Sequence, residues 1–284
     1  MELWIIYTIL GYMIGAVAGT LDKYMMNQRY HPVTTVLLRT LCNGIFLGAT
    51  GLLFLNLQIT PSLLLFAALP AILLAVSFVV YLYVLQKKNA SEIQPFSQSL
   101  DTLFIFLAAV VFLQETASLA NYVGILVIVI GVYLVVAEHI TKLPHLDRNF
   151  LIIVGLVPID IAYALLIKTF LGTVEPIALA VSIYLLSFLM LTFVSLLIPK
   201  QKRSVTHLKP HLRIVIPASL CAAAGAGLLY TALSLAEASK VYPMAGVSSV
   251  SIFLLATIFL KEKFHLHRFI GTLIVVLGIY LISL

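Results

Sequence analysis

Two carboxylates stand where a carboxylate is hardest to keep. Asp101 and Asp160 each lie about ten residues into a long apolar run. At 1.5 Å per residue that is about 15 Å along a helix, the midpoint of a hydrocarbon core about 30 Å thick. An ionisable group at that depth is costly and is a candidate functional position. Two of them at one depth, one in each half of the chain, fit a central cavity where they could bind a substrate amine or carry a proton; the alternative is that each is only hydrogen-bonded between helices. Ser91, Gln94, Gln98 and Asp101 are spaced three or four apart and share a helix face, flanked by Ser97 and Thr102. Lipid tails reward no such face, so it must look at protein or water. A later stretch offers Tyr242, Ser248, Ser249 and Ser251 but no acid. Arg39 lies about 9 Å into its run. It can snorkel to the surface, or pair with an aspartate or a substrate carboxylate, and Asn43 sits one turn deeper on its face. Tyr81, Tyr163 and Tyr230 can stack on a ligand cation or simply pack.

The elements that position these groups follow from composition. The chain has 284 residues, 62% hydrophobic and only 10% charged, where a soluble domain carries about 25% charged. That is too little charge to cover a water-facing surface. It excludes a soluble enzyme, a disordered protein and a nucleic-acid binder, and points to an integral membrane protein. Ten apolar runs are long enough to cross: 3–22, 33–55, 62–86, 93–113, 118–137, 150–168, 176–198, 212–236, 241–260 and 266–284. They are twice the length of barrel strands and do not alternate in polarity, so the fold expected is all-α with ten transmembrane helices. The first run lacks a basic flank and a cleavage motif and reads as a span, not a leader, with Trp4 and Tyr7 as interfacial anchors. Cys42 and Cys221 lie inside spans with no CxxC spacing and read as packing residues.

Charge orients the bundle. If the N-terminus defines side A, the loops 1–2, 3–4, 5–6, 7–8 and 9–10 lie on side B. Fourteen of the 17 Lys and Arg then fall on side B, and only Lys168 and Lys240 on side A. All seven histidines also fall on side B. By the positive-inside rule side B is cytoplasmic in a cell (inner) membrane. The +6 net charge is therefore a topology signal, and His207-x3-His211 reads as part of a solvated loop, not a zinc site.

The chain also repeats itself. Pro32, Pro70 and Pro95 match Pro176, Pro217 and Pro243 at offsets of 144 to 148, and Ala90-Ser91 match Ala238-Ser239. Phe112-Leu113-Gln114-Glu115, with Gly124 and Gly131, matches Phe259-Leu260-Lys261-Glu262, with Gly271 and Gly278. The boundaries expected are 1–140 and 148–284, each a five-helix repeat of one transport unit. Five is odd, so the second copy enters from the opposite face. Inverted repeats are the architecture of alternating-access transporters, with the site near the midplane at the repeat interface. Pro70, Pro158 and Pro217 sit inside spans, where a proline loosens the helix, and are candidate hinges. The glycines Gly11, Gly15 and Gly19, and Gly44 with Gly48, suit close helix packing. Lys23 and Lys168 end spans 1 and 6 as interfacial anchors, and Glu115 and Glu262 set helix ends.

The paired Phe-Leu-x-Glu-x8-Gly-x6-Gly motifs, over essentially the whole chain, resemble the ten-helix branch of the drug/metabolite transporter superfamily. That resemblance implies transport, and a substrate path surrounded by spans 1, 3, 4, 6, 8 and 9. It also implies both termini on the cytoplasmic side, the reverse of what the loop charges give. With no P-loop, nucleophile elbow or HExxH, the expectation is not an enzyme, with no catalytic residues, metal or cofactor. The expected function is secondary transport, as an exporter, of a small polar metabolite (an amino acid or amine-like molecule). The site residues are Asp101, Asp160, Gln94, Gln98, Arg39, Asn43, Tyr163, Tyr230, Tyr242 and Ser249. Expected partners are membrane lipid, the substrate and a proton as coupling ion, with no nucleic acid. A monomer suffices and a dimer is compatible. The alternatives are a lipid-linked sugar or headgroup flippase of the same fold, and a non-transporting membrane scaffold.

Overall fold

A computed structural model describes residues 2–55, 57–136, 147–197, 208–262 and 265–282. His139, His145 and His207, and the basic residues Lys142, Lys200, Lys202, Arg203 and Lys263 used to orient the loops, lie outside them. The helices are α1 (Leu3–Asn27), α2 (Pro32–Phe54), α3 (Pro61–Leu85), α4 (Ala90–Phe112), α5 (Leu119–Val136), α6 (Arg148–Phe170), α7 (Pro176–Leu197), α8 (Leu208–Leu235), α9 (Ala238–Val241), α10 (Gly246–Phe259) and α11 (Leu266–Ile282). A 3-10 turn, Tyr242–Ala245, joins α9 to α10, so α9 and α10 together make the ninth span. Eight spans have the length and apolarity to cross a membrane outright, and the fifth and tenth are shorter apolar helices. Large apolar side chains such as Leu53, Leu65, Phe112 and Phe193 cover the outside, the inverse of a water-soluble surface.

Exchanging the repeats reproduces the main helix neighbours, though not the extent of each contact. Under the exchange α1 becomes α6, α2 becomes α7, α3 becomes α8, α4 becomes the ninth span and α5 becomes α11. The neighbour pairs α1–α8, α1–α10 and α2–α8 turn into α3–α6, α4–α6 and α3–α7, all of which exist. Three pairs map onto themselves: α2–α7, α4–α10 and α5–α11. They lie along the pseudo-twofold axis of the inverted repeat. The motif glycines build the last of these. A Cβ on Gly131 would stand 2.7 Å from the Gly271 carbonyl, and one on Gly278 2.7 Å from the Gly124 carbonyl. Only bare backbone lets α5 and α11 approach this closely. Asn121 Nδ2 donates to the Ile282 carbonyl at 2.9 Å in the same seam. Gly11 and Gly225 do likewise for α1 against α8.

Each Phe-Leu-x-Glu motif is a helix stop. Its third residue, Gln114 (φ 55°) or Lys261 (φ 56°), adopts the left-handed conformation. The next amide, of Glu115 or Glu262, then reaches back to the carbonyl of Ala109 or Ala256 at 3.4 and 3.2 Å, closing the helix end.

Sequence and structure part in three places. First, α1 runs to Asn27, five residues past the expected end, so Asp22 and Lys23 are buried within the helix and do not end it. Asp22 is covered because Arg39 crosses from α2 to meet it. Second, the described break within a span falls at Pro243, whose partner Pro95 leaves α4 continuous. Third, His211 lies within α8 and not in a loop. Pro70, Pro158 and Pro217 lie inside α3, α6 and α8 as expected, with Pro70 buried and Pro217 exposed.

Candidate functional site

Asp101 and Asp160 stand at the middle of α4 and α6 and line the same two adjoining cavities. Both helices run from side B to side A, which fixes the sense of each cavity. The cavity of about 330 Å³ lies toward side B, bounded by Arg39 and Asn43 of α2, Ser77, Phe78 and Tyr81 of α3, Ser97 and Leu156, and Tyr184 of α7. The cavity of about 210 Å³ lies toward side A, bounded by Tyr12 of α1, Gln98, Thr102, Ile105, Ala164, and Tyr242 and Ala245 of the broken ninth span. The two aspartates and Tyr163 are common to both. One carboxylate from each repeat thus lines both of two adjoining chambers, one extending toward each end of the bundle.

The site is held by polar contacts. The Ser77 hydroxyl donates to Asp160 Oδ1 at 2.6 Å, and the Ser97 hydroxyl reaches Asp101 Oδ2 at a weak 3.5 Å. Tyr163 and Tyr230 share a hydroxyl–hydroxyl hydrogen bond of 2.6 Å. The Ser249 hydroxyl donates to Gln98 Oε1 at 2.6 Å, tying α10 to α4. The structure therefore brings Asp101, Asp160, Gln98, Arg39, Asn43, Tyr163 and Tyr242 onto the cavity walls. It sets Tyr230 and Ser249 behind them as supports. Gln94 is buried against α1, where Gly19 leaves the space its side chain fills, since a Cβ there would lie 2.4 Å from Gln94 Nε2.

Arg39 is 2% exposed and pairs with Asp22 of α1 along one edge, Nε to Oδ1 at 3.1 Å and Nη2 to Oδ2 at 3.2 Å. Its Nη1 has no hydrogen-bond partner among the described residues. Asn43 donates to the carbonyls of Arg39 (3.2 Å) and Ser219 (3.0 Å), locking α2 to α8. Sequence reasoning missed Asp22, Tyr12, Ser77 and Tyr184. Only Asp22 carried a signal, as one of the few acids of the chain, and its place at the apparent end of an apolar run concealed it.

Outside the spans, Asp147 caps α6 by accepting from the amides of Asn149 (2.9 Å) and Phe150 (3.3 Å). Lys88 Nζ stands 2.7 Å from its other oxygen. The Lys88 ammonium, together with those amides, holds the Asp147 carboxyl down at about 2.

The EamA-like transporter family matches residues 2–137 and 150–284, nearly the whole chain in two halves. The chain belongs to that family. It is thereby a member of the drug/metabolite transporter superfamily and a multi-pass membrane protein. No curated protein matches this transporter in sequence. A solved structure described as "Crystal structure of protein" is similar in fold, with a TM-score of 0.69 at 15% identity over 98% of this chain and 97% of that one. The two family matches fall on the two repeats, and the all-helical bundle has the inverted two-repeat arrangement expected from the sequence.

Proposed function

We propose that this EamA-like protein is a secondary transporter that exports a small polar metabolite bearing an amine, an amino acid or an amine-like molecule, by alternating access. The observation that carries the reading is that Asp101 and Asp160, one from each repeat, line both of two adjoining chambers, one extending toward each end of the bundle. Two carboxylates in so small a space hold a cation or a proton between them. The tyrosines around them, Tyr12, Tyr163 and Tyr242, offer ring faces to an ammonium group. Arg39, with Nη1 to spare at the side-B end of the larger chamber, suits the acceptor end of an amino acid. Coupling to protons follows if the aspartates exchange the substrate amine for H⁺ in each cycle. Outward direction is taken from the exporters that the superfamily includes. The side-B loops are cytoplasmic in this reading, in a cell (inner) membrane. A headgroup flippase is less well supported, because Lys23 and Lys168 already donate to backbone carbonyls and the Arg39 charge is balanced by Asp22, which leaves no net positive pocket for a phosphate.

The test is flux of a panel of radiolabelled amino acids and amines in proteoliposomes, with and without an imposed proton gradient. The expected result is gradient-dependent flux of an amine-bearing solute, lost by about tenfold or more in Asp101→Asn and Asp160→Asn. Flux indifferent to the gradient and undiminished in Asp101→Asn would overturn the coupling role.

A further inference from the structure

Four charged side chains outside the cavity form two copies of one arrangement. On side B, Glu262 at the end of the ninth span accepts from the amides of Ala90 (3.1 Å) and Ser91 (3.2 Å) and from the Ser91 hydroxyl. Lys23 of α1 donates to the carbonyls of Leu85 (2.9 Å) and Lys88 (2.6 Å). The carboxylate thus takes the free amides that start α4, and the ammonium takes the free carbonyls that end α3. Together they grip the α3–α4 turn. On side A, Glu115 accepts from the amides of Ala238 (2.9 Å) and Ser239 (2.8 Å). Lys168 of α6 donates to the carbonyls of Leu233 (2.8 Å) and Ala236 (2.7 Å). That pair grips the α8–α9 turn in the same way. In each grip the lysine belongs to the repeat it holds and the glutamate reaches over from the other repeat.

Each grip sits at the root of a wall of one chamber. Past the side-B grip, α3 and α4 carry Tyr81 and Ser97 into the larger cavity. Past the side-A grip, the ninth span carries Tyr242 and Ala245 into the smaller one. We propose that the glutamates are latches of the two gates: Glu262 must leave the start of α4 for the side-B chamber to open, and Glu115 must leave the start of α9 for the side-A chamber to open. Both latches are closed in this structure. The proposal rests on the alternating-access reading above and adds to it the residues that set the conformational balance. A glutamate that only caps a helix would stabilise both states alike. A latch shifts the balance, and the inverted symmetry requires the two to shift it in opposite directions.

The experiment reads accessibility and needs no substrate. In full-length protein with Cys42→Ala and Cys221→Ala, reconstituted in nanodiscs, Leu74→Cys on the α3 wall of the side-B chamber and Ile105→Cys on the α4 wall of the side-A chamber report their chambers through their rates of alkylation by N-ethylmaleimide. Glu262→Gln is expected to raise the rate at Leu74→Cys by about fivefold and lower it at Ile105→Cys, and Glu115→Gln to do the reverse. Lys23→Met and Lys168→Met should follow their partner glutamates, and they carry the test if a glutamate variant does not fold. Both reporters rising together in either variant, or neither moving, overturns the latches. Opposite shifts uphold the latches even where the flux panel shows no transport. Intact flux with indifferent reporters removes the latches and leaves the transport reading standing.

Discussion

At the residue scale the expensive object is not the two midspan aspartates but the ion pair beside them. Asp22 and Arg39 are 4% and 2% exposed, and each is the other's charged partner. Removing one member of such a pair strands the other and costs about 3–5 kcal/mol, whereas replacing both with apolar residues can be neutral. Asp22→Asn and Arg39→Met should each lower the melting temperature in detergent sharply, and the double variant Asp22→Leu/Arg39→Met should recover most of the loss. If the singles melt like the parent, the pair is not holding α1 to α2. Flux in the stable double variant then shows separately whether the Arg39 head, which also walls the larger chamber, reads the substrate. Asp101 and Asp160 stood out in the sequence because a lone charge in the middle of an apolar run is costly and calls for a partner, a substrate or a proton. The sequence hid Asp22 because a charged dipeptide, Asp22-Lys23, at the edge of such a run looks like its end. Hydropathy registers the change in polarity but not the arginine on the next helix that makes continuing possible.

At the element scale the repeat was readable from its punctuation, the prolines, glycines and glutamates that recur at a nearly constant offset. What those residues do was less readable. Gly124, Gly131, Gly271 and Gly278 turn out to be one seam, because α5 and α11 meet each other on the pseudo-twofold axis. That pairing depends on which helices become neighbours, which no local pattern states. It yields a graded prediction. A methyl group at Gly131 would lie 2.7–2.8 Å from the Gly271 carbonyl and the Val275 backbone, atoms that can only yield if the helices part. Gly131→Ala should therefore destabilise by about 1–3 kcal/mol. Gly155→Ala on α6 meets nothing within 4 Å and should be neutral or stabilising by the better helix propensity of alanine. Equal melting temperatures for the two variants would show that the seam does not set the distance between α5 and α11. The break at Tyr242–Ala245 was not legible for a related reason. Pro95 and Pro243 are matched in sequence, yet one is absorbed into a continuous helix and the other sits in a 3-10 turn. The difference lies in what surrounds them, not in the proline.

At the scale of the whole molecule the inverted repeat makes the two membrane faces nearly interchangeable, with matching grips, matching helix stops and a chamber each. Orientation must then come from whatever breaks the symmetry. Within the bundle the breakers are few: the Asp22–Arg39 pair exists in the first repeat only, and Asp101 answers to Ser249 in the second. Neither faces a headgroup region, so neither can choose a side during insertion. The loops and helix ends can, because fourteen Lys and Arg lie toward side B against two toward side A, and the positive-inside rule weighs short loops and the flanks of the spans most. Side B should therefore be cytoplasmic, with the termini outside, the reverse of how members of the superfamily are commonly drawn. Two exposed positions decide it: Gln28 between α1 and α2 on side B, and Thr116 between α4 and α5 on side A. With Cys42 and Cys221 replaced by alanine, a membrane-impermeant thiol reagent applied to intact cells should label Thr116→Cys and leave Gln28→Cys untouched until the cells are opened. The opposite pattern would place side B outside and exchange the roles given to Glu262 and Glu115, so that Glu262 guards the external gate. Labelling of both positions in intact cells would mean insertion in both orientations. A fold whose halves are this alike permits that only if the loop charges are too weak to decide.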